Sequence, residues 1–334
     1  GAVGDALGAA VEFSSREAIH RRYGPAGIRA PAPAYGVPSA LTDDTQMTLF
    51  TAEGLIRAAV RQSERGICHP ASVVHHAYLR WLHTQGRAPS QKIPCALDGW
   101  LIACRGMWQV RAPGNTCLGA LSAASSLGEV ARNNSKGCGG VMRAAPAGLI
   151  GSDRPFELGA DVARLTHGHP SGYLASGFLA AAIDALCRGA SLNDALDVAT
   201  AALRAHPDHE ELLAATSHAR DLASAGRRDV VPASLGEGWI AEETLAVAIW
   251  CALVATDFED ALCLAVNLTG DSDSTGSVTG QLLGAWLGDQ VIPADWLATL
   301  ELRAEIERMA GDLAQVFGPT PPDLADLWSD YPGH

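Results

Sequence analysis

Gly270-Asp271-Ser272-Asp273-Ser274-Thr275-Gly276 is the stretch that decides the architecture of this chain, because an apolar helical pattern follows it over residues 278–287. Glycine recurs at every fourth position of this pattern, at residues 276, 280, 284 and 288. A glycine inside a helix costs roughly 1 kcal/mol relative to alanine. Four glycines on one face therefore predict a flat strip against which another backbone packs closely.

Two carboxylates and a hydroxyl stand at the predicted start of this helix, at Asp271, Asp273 and Ser274. The free N–H groups of a helix N-terminus favour acceptors and anions, and aspartate is an ordinary N-cap. Further carboxylates at the same place attract a cation. Taken alone, these residues fit a capped helix and a metal site equally well.

The composition indicates one folded domain over residues 1–334. The chain is 48% hydrophobic and 18% charged, which suffices for a large buried core, and it shows no Gly/Ser linker or internal repeat. The proline-rich run at residues 30–38 is predicted to be a long loop rather than a domain boundary. A net charge of −13 argues against an extended nucleic-acid surface, but it is compatible with a local pocket for a small anion.

The eight cysteines predict a reducing, cytoplasmic setting, because they form no C-x-x-C pair and no zinc-like spacing. Most of them lie in apolar segments and are expected to be small core residues. No run of about 20 apolar residues predicts a membrane span, and no basic-then-apolar signal opens the chain. The sequence begins at Gly1 without a methionine, which leaves room for an upstream segment.

Most of the chain has the pattern of successive helices, so we predict an all-α architecture. From about residue 70 onward alanine, leucine, glutamate and arginine dominate, and long alternating β-type runs are lacking. Capping boxes predict helix starts at Ser191-x-x-Asp194 and at Thr256-x-x-Glu259.

The opening segment, residues 1–13, is rich in small residues and contains two acids, Asp5 and Glu12. They are seven residues apart, so a helix would place both on one face. Their neighbours are nearly all apolar, which weakens the interpretation that both are simply solvated.

Thr42-Asp43-Asp44 forms a second acidic helix start, ahead of Met47, Phe50 and Leu55 at helical spacing. Adjacent aspartates repel and need a counter-charge unless they are solvated or cap the helix. If this cluster converges with the first, the two would form a two-metal centre with ions ~3.5–4 Å apart.

Aspartate and hydroxyl oxygens favour hard cations, Mg²⁺ or Mn²⁺, over zinc or copper. The segment that begins at Asp271 imitates the start of an EF-hand loop. Position twelve of that loop would be Leu282, where a bidentate glutamate belongs, so we reject a calcium loop.

Three further segments either bind a ligand or serve the fold. Residues 133–143 contain Gly137, Gly139 and Gly140, which permit positive φ and an anion-binding nest, although a plain connector is the simpler interpretation. This segment lacks the Gly-Lys-Ser/Thr of a P-loop. His167 contacts a ligand or, more ordinarily, satisfies a loop carbonyl. Trp239 is ordinarily a core residue at a helix entrance, although the glycines beside it leave room for a flat ring.

Together these motifs resemble the ADP-ribosylglycohydrolase family. Its motifs occur in the same order at residues 42–45, 135–143, 166–167, 236–243 and 270–276, and residues 4–13 look like its first helix. The resemblance extends to about residue 288. It implies an all-α, single-domain fold with a dinuclear Mg²⁺ or Mn²⁺ centre that cleaves ADP-ribose from modified groups.

The resemblance also implies roles for individual residues. Metal ligation falls to Thr42, Asp43, Asp44, Asp271, Asp273 and Ser274. Glu12 matches a glutamate that lies over the metals, and with Asp44 and Asp273 it is expected to be catalytic. Substrate contacts fall to Asp43, Asn133, Asn134, Ser135, Lys136, Gly137, Cys138, Gly139, His167 and Trp239. Cys138 departs from an asparagine found in some members.

The implied cofactors are two Mg²⁺ (or Mn²⁺) ions, the implied partner is an ADP-ribosylated protein, and we expect a cytoplasmic monomer. The third ligand of the Asp271 motif is a serine, Ser274, and in this respect the motif is similar to that of the arginine-directed members. We therefore predict cleavage of ADP-ribosyl-arginine in preference to ADP-ribosyl-serine or O-acetyl-ADP-ribose. One alternative is an inactive ADP-ribose-binding or crystallin-like relative, which should have lost some acids. Another is an unrelated metal-dependent phosphohydrolase, which would leave the other motifs unexplained.

Overall fold

A computed structural model describes residues 1–90, 92–226 and 229–333 of the chain. All regular elements in these ranges are helices, and extended pairing there is confined to isolated bridges between Ala34 and Val37 and between Gly137 and Ile240. The all-α prediction is confirmed. The α-helices are α1 (Ala2–Gly8), α2 (Arg16–Tyr23), α3 (Asp43–Arg65), α4 (Pro70–Thr84), α5 (Trp100–Ala103), α6 (Asn115–Ala123), α7 (Ala145–Leu149), α8 (Pro155–Arg164), α9 (Pro170–Cys187), α10 (Leu192–Arg204), α11 (Glu210–Ser224), α12 (Ala241–Val254), α13 (Phe258–Val266), α14 (Ser272–Leu287), α15 (Ala294–Thr299) and α16 (Arg303–Phe317). Short 3₁₀ helices lie at Arg105–Trp108, Cys138–Arg143, Ala233–Leu235, Asp289–Val291 and Leu324–Leu327.

Helix α14 packs against α1 at backbone distance, as its glycine strip predicts. A Cβ on Gly276 would lie 2.5 Å from the carbonyl oxygen of Gly4, and a Cβ on Gly4 would lie 2.0 Å from that of Gly276. A Cβ on Gly8 would likewise lie 2.3 Å from the Ser272 carbonyl oxygen. Farther along α14 the strip is unused, because a Cβ on Gly284 would meet nothing within 4 Å. The close contact therefore holds the acidic first turn of α14 against α1.

The described residues form two apolar cores. The larger core surrounds α9, α12, α13 and α14, and beyond its acidic first turn α12 is apolar on all sides, with Leu245, Ile249 and Trp250 fully buried. The second core joins α3, α4 and α16, where Phe50 and Trp81 are fully buried. The N-terminal ends of α3 and α14 meet between these cores.

A buried ion network ties α3 to α4 beneath the second core. The Glu53 carboxylate accepts from Arg57 at 2.9 Å and from Arg80 at 2.8 Å, and all three side chains are inaccessible or nearly so. Removing one partner of such a network leaves an uncompensated buried charge, which is strongly destabilising. The network thus fixes the direction of α3, whose first turn carries Asp43 and Asp44.

The two predicted capping boxes have different outcomes. Ser191 caps α10 and accepts from the Asp194 N–H at 3.2 Å, as predicted. The start predicted at Thr256 is one residue early, because Asp257 caps α13 and accepts from the Asp260 N–H at 2.8 Å. Thr256 instead donates its N–H to the Asp260 carboxylate at 2.9 Å.

All eight cysteines are free thiols. Cys117, Cys251 and Cys263 are buried, and Cys95, Cys104 and Cys138 are partly buried and pack against the two cores, which agrees with the prediction that most are small core residues. Cys187 is exposed and Cys68 is partly exposed. Among the described residues, no helix combines the length and the apolar character that crossing a membrane requires.

Candidate active site

The first turns of α3 and α14 meet and bring the two acidic segments together. Thr42 caps α3 and Asp271 caps α14, so the capping role considered for each segment is present. Across the junction, the Ser274 hydroxyl donates to Asp44 Oδ2 at 3.3 Å. The two clusters therefore converge, as expected for a shared centre.

Asp5 anchors the start of α3. Its carboxylate accepts from the N–H groups of Thr42 and Thr45 at 3.1 and 3.2 Å and from their hydroxyls at 2.9 and 2.5 Å. The prediction that Asp5 and Glu12 share a helix face is wrong, because α1 ends at Gly8 and Glu12 lies in the turn that follows. The sequence pattern gave no hint of the anchoring role.

Glu12 nevertheless reaches the acid cluster. One oxygen each from Glu12, Asp271 and Asp273 lie within 4.8 Å of one another. Glu12 Oε2 and Asp44 Oδ1 are buried and accept no hydrogen bond from the described residues. The site therefore holds more carboxylate oxygens than it has donors to satisfy them.

Burial and mutual repulsion disfavour the charged forms of these acids. Burial, followed by the charges of Asp271 and Asp43, raises the pKa of Glu12 to about 8. Burial also raises the pKa of Asp43 to about 7, against the hydrogen bond from the Gly114 N–H. The pKa values of Asp44 and Asp273 are raised well above the ordinary value, first by burial and then by neighbouring carboxylates.

The donor set fits hard divalent cations. It consists of carboxylate and hydroxyl oxygens, which Mg²⁺ and Mn²⁺ prefer. Thr42 directs its hydroxyl hydrogen to Asp5 Oδ1, and Ser274 directs its own to Asp44, so each hydroxyl oxygen keeps lone-pair capacity for a cation. A soft donor adjoins this set at Cys138, whose Sγ lies 2.8 Å from Asp271 Oδ2. Burial, followed by the Asp271 charge, raises the pKa of this thiol well above its usual value.

The glycine-rich segment, residues 133–143, lies beside the acids, and its three glycines do not use the positive φ that the sequence permits. Gly137, Gly139 and Gly140 all have negative φ, and the last two belong to a 3₁₀ helix. Gly139 and Gly140 are needed for close approach instead. A Cβ on Gly139 would lie 2.9 Å from Cys117 Sγ, and one on Gly140 would lie 2.9 Å from the Gly172 carbonyl oxygen.

The side chains before these glycines mostly serve the segment itself. Asn133 donates to the Thr166 carbonyl oxygen at 2.8 Å and accepts from the N–H groups of Ser135 and Gly168, both at 3.0 Å. Asn133 and Ser135 line a cavity of about 380 Å³ that adjoins the acidic one. Asn134 and Lys136 line neither cavity. Asn134 is exposed, and Lys136 pairs with Glu211 and Glu242.

His167 is buried beside the glycine-rich segment. Its Nδ1 pairs with the Thr166 hydroxyl at 2.8 Å rather than with a loop carbonyl. The other edge of the ring faces the segment, since a Cβ on Gly137 would lie 3.5 Å from His167 Nε2. Burial, and then the Arg143 charge, lowers the pKa of His167 to about 3, so the ring is neutral.

The acids line a cavity of about 470 Å³ whose wall also includes His167 and two exposed aromatic rings. Trp239 is 39% exposed, so its interpretation as a core residue is wrong. It stacks on Phe13, which is 67% exposed, with ring centroids 5.7 Å apart and planes 21° from parallel. Phe13 has a φ of 64°, a left-handed conformation that is uncommon for a bulky residue and frequent at functional sites.

Two groups near the acids were not found from the sequence. The Gly114 N–H donates to Asp43 Oδ2 at 3.1 Å from the loop before α6. Tyr35 occupies the tip of the 30–38 loop at a φ of 50°. Burial and the charges of Glu12, Asp273 and Asp43 raise the pKa of Tyr35 to about 12. The Gly114 hydrogen bond and the nearness of Tyr35 to the acids depend on tertiary structure, and no motif in the local sequence marks them.

Comparison with known proteins finds matches along most of this chain. The model of the family described as ADP-ribosylglycohydrolase matches residues 1–322. ADP-ribosyl-[dinitrogen reductase] glycohydrolase of Rhodospirillum rubrum is 28% identical over 92% of this chain and 89% of its own length. ADP-ribosylarginine hydrolase Tri1 of Pseudomonas putida (strain GB-1) is 26% identical over 93% of this chain and 75% of its own length. A solved structure titled ADP-ribosylglycohydrolase-related protein complex matches with a TM-score of 0.65 and 30% identity, covering 94% of this chain and 93% of that one.

Proposed function

This chain belongs to the ADP-ribosylglycohydrolase family, and on that premise we propose that it is a divalent-cation-dependent hydrolase that prefers ADP-ribosyl-arginine. The broader activity, hydrolysis of a glycosyl bond in ADP-ribosylated substrates, follows from the family and its named relatives. One observation carries the finer proposal. A buried cluster of carboxylates, with no ion-pair partner among the described residues, opens into a cavity that also includes His167 and Trp239.

We assign the cations to Thr42, Asp43, Asp44, Asp271, Asp273 and Ser274. When bound, Mg²⁺ or Mn²⁺ would supply positive charge that orients ribose hydroxyls and lowers the pKa of water. The unpaired Asp44 Oδ1 and the raised pKa values of Asp43 and Asp273 support this assignment, since each indicates a buried acid that lacks a counter-charge. A capped helix alone would not require so many uncompensated acids.

The carboxylates also suit the bond-breaking step. The bond between the anomeric carbon and the leaving group breaks heterolytically, and positive charge develops on the sugar in an oxocarbenium-like state. Preorganised negative groups in a site that excludes water stabilise such charge strongly. Asp44 and Asp273 are buried and fixed by the capped first turns of α3 and α14, so they need little reorganisation for this role.

Glu12 is the residue that we assign to accept the proton of the attacking water. Its Oε2 is buried and has no hydrogen-bond partner among the described residues, and its position beside Asp271 and Asp273 supports a role at the same centre. Because Glu12 comes from the turn after α1 rather than from a capped helix, its carboxylate is less constrained by hydrogen bonds than the aspartates.

The preference for arginine rests on the leaving group and on the mouth of the cavity. A guanidinium is cationic before cleavage and departs as a neutral guanidine, whereas serine departs as an alkoxide that needs a proton. Guanidinium groups stack on aromatic faces. The exposed rings of Phe13 and Trp239 line the cavity beside Glu12 and offer such faces. A relative named ADP-ribosylarginine hydrolase Tri1 supports the same choice.

Equal concentrations of an arginine-modified and a serine-modified ADP-ribosyl peptide test this proposal, with kcat/KM for ADP-ribose release as the readout. We expect faster release from the arginine peptide. Faster release from serine would overturn the preference and leave the hydrolase standing. Binding of ADP-ribose without release from either peptide or from O-acetyl-ADP-ribose would instead support an inactive binding relative.

A further inference from the structure

Arg143 is a fully buried cation that the reaction described above does not use. Its Nη2 donates to Thr166 Oγ1 at 2.6 Å, and its guanidinium lies 4.3 Å from the centre of the Tyr78 ring. Its Nη1 also donates to the sulfur atoms of Met47 and Cys117, both at 3.3 Å, and its Nη2 donates to the Val162 carbonyl oxygen at 3.5 Å. Within the described residues, none of its ion-pair or hydrogen-bond partners is a carboxylate. Such a costly arrangement calls for a specific use of the charge.

The hydrogen bonds around Thr166 decide where its hydroxyl hydrogen goes. Arg143 can only donate, so Thr166 Oγ1 accepts from it. The hydroxyl hydrogen then has three possible acceptors, the Ala163 carbonyl oxygen at 3.3 Å, His167 Nδ1 at 2.8 Å and the Cys117 sulfur, and a thiol sulfur is a weak acceptor. The Ala163 oxygen already accepts the N–H groups of Thr166 and His167, both at 3.0 Å, which fill its two lone pairs. The hydrogen therefore goes to His167 Nδ1.

An imidazole whose Nδ1 accepts a hydrogen bond carries its proton on Nε2. We infer that Arg143 is a positioning residue that acts through the Thr166 hydroxyl to hold His167 as the neutral Nε2–H tautomer, a donor for an anionic oxygen of the bound ligand. If the proposed function holds, that oxygen belongs to the diphosphate of ADP-ribose. The ring is among the residues that line the acidic cavity, and Nε2 is the nitrogen that faces Gly137 and Gly139.

The position of the buried cation fits this role. Positive charge behind the Thr166 hydroxyl polarises its O–H bond and strengthens the hydrogen bond that it donates. The same charge, after burial, lowers the pKa of His167, so the ring stays neutral at physiological pH. An anionic oxygen beside Nε2 would in turn bring a negative group near Arg143, whose direct partners among the described residues include none.

The ¹⁵N spectrum of the imidazoles tests the tautomer in the wild-type protein. The protein is labelled with ¹⁵N-histidine, and the His167 signals are identified by their loss in His167→Gln. We expect a protonated Nε2 and an unprotonated Nδ1, unchanged from pH 5.5 to 8.5. A protonated Nδ1, or titration near pH 6.5, would overturn the inference. Added ADP-ribose should shift the Nε2–H resonance, and the absence of a shift would refute the ligand assignment.

Two matched variants distinguish simple packing from a relay, by which we mean the hydrogen bonds from Arg143 through the Thr166 hydroxyl to His167. Thr166→Ser keeps the hydroxyl, whereas Thr166→Val keeps the shape and removes it. Since a hydrogen bond contributes about 0.5–1.5 kcal/mol, we expect Thr166→Val to bind ADP-ribose roughly three- to tenfold more weakly by calorimetry, with Thr166→Ser near wild type. Equal affinities of the two variants would refute the relay. If Thr166→Val does not fold, the wild-type spectrum decides alone. Failure of the wild type to bind ADP-ribose would refute the proposed function, and the tautomer measurement would stand.

Discussion

Replacing Glu12 with glutamine should make the cation-free protein more stable and the enzyme nearly inactive. At pH 7 the wild-type carboxyl carries an electrostatic penalty, because burial and the charges of Asp271 and Asp43 raise its pKa from 4.5 to about 8 in the folded state. A carboxyl with a raised pKa stabilises the fold fully below its unfolded pKa, and this contribution is lost as pH rises through its folded pKa. The loss therefore falls between about pH 4.5 and pH 8.

Each pKa unit corresponds to about 1.4 kcal/mol, and pH 7 lies about 2.5 units above the unfolded pKa, so the penalty at pH 7 is on the order of 3 kcal/mol. For a chain of 334 residues, an unfolding entropy of roughly 2.1 cal/mol/K per residue converts this to about 4–5 °C in Tm. Melting curves in EDTA from pH 5 to 8.5 are the assay. The Tm of Glu12→Gln should exceed that of the wild type at pH 8, and the difference should shrink toward pH 5.

Steady-state kinetics and calorimetry complete this test. Loss of a proton-transferring residue costs roughly 10²- to 10⁴-fold in rate, so we expect kcat to fall by that amount while Mg²⁺ affinity changes less than about tenfold. A collapse of Mg²⁺ binding would show that Glu12 is first of all a metal ligand. A Tm difference that does not vary with pH would refute the electrostatic reasoning.

Three further predictions use single substitutions. Gly8→Ala should destabilise the fold by about 1–3 kcal/mol or more, because its Cβ would lie 2.3 Å from the Ser272 carbonyl oxygen. Gly284→Ala, with nothing within 4 Å of its Cβ, should stabilise it by up to about 1 kcal/mol, and equal melting temperatures for both variants would contradict the packing argument. Phe13→Ala should raise KM for an arginine-linked peptide roughly fivefold, as expected for the loss of a stacked cation–π contact of about 1 kcal/mol, with little change for a serine-linked one. Ile67→Ala, which truncates another exposed apolar residue outside the lining of the acidic cavity, is the control, and an equal KM change for both peptides would argue against a role in recognising the leaving group.

The convergence of the acidic segments could be predicted from the sequence, because a cation site requires several acids and these acids cluster locally. Asp271 and Asp273, like Asp43 and Asp44, cluster at helix starts where more acids stand than capping needs. The glycine strip of α14 could also be interpreted from the sequence as a packing surface for another backbone, since glycine in a helix interior is costly. The structure shows that backbone at Gly276, where α1 passes.

Where the sequence misled, contacts between distant segments decide the structure. The glycines at 137, 139 and 140 permitted a left-handed backbone that none of them adopts, and Gly139 and Gly140 instead accommodate Cys117 and the Gly172 carbonyl. Trp239 has the composition of a core residue, yet its ring lies on Phe13, 226 positions earlier in the chain, at the cavity mouth. The anchoring role of Asp5 likewise depends on Thr42 and Thr45, which no local pattern connects to it.

We propose that the paired acidic helix starts hold divalent cations and that release of ADP-ribose requires these cations. The most direct measurement is ADP-ribose release from an arginine-modified peptide in EDTA and after Mg²⁺ or Mn²⁺ is restored, for the wild type, Asp43→Asn and Asp273→Asn, with the exposed Asp326→Asn as control. We predict that the wild type and the control lose activity in EDTA and regain it with the cation, while the two site variants remain folded and inactive throughout. Undiminished release in EDTA, or full activity in Asp43→Asn or Asp273→Asn, would contradict the account.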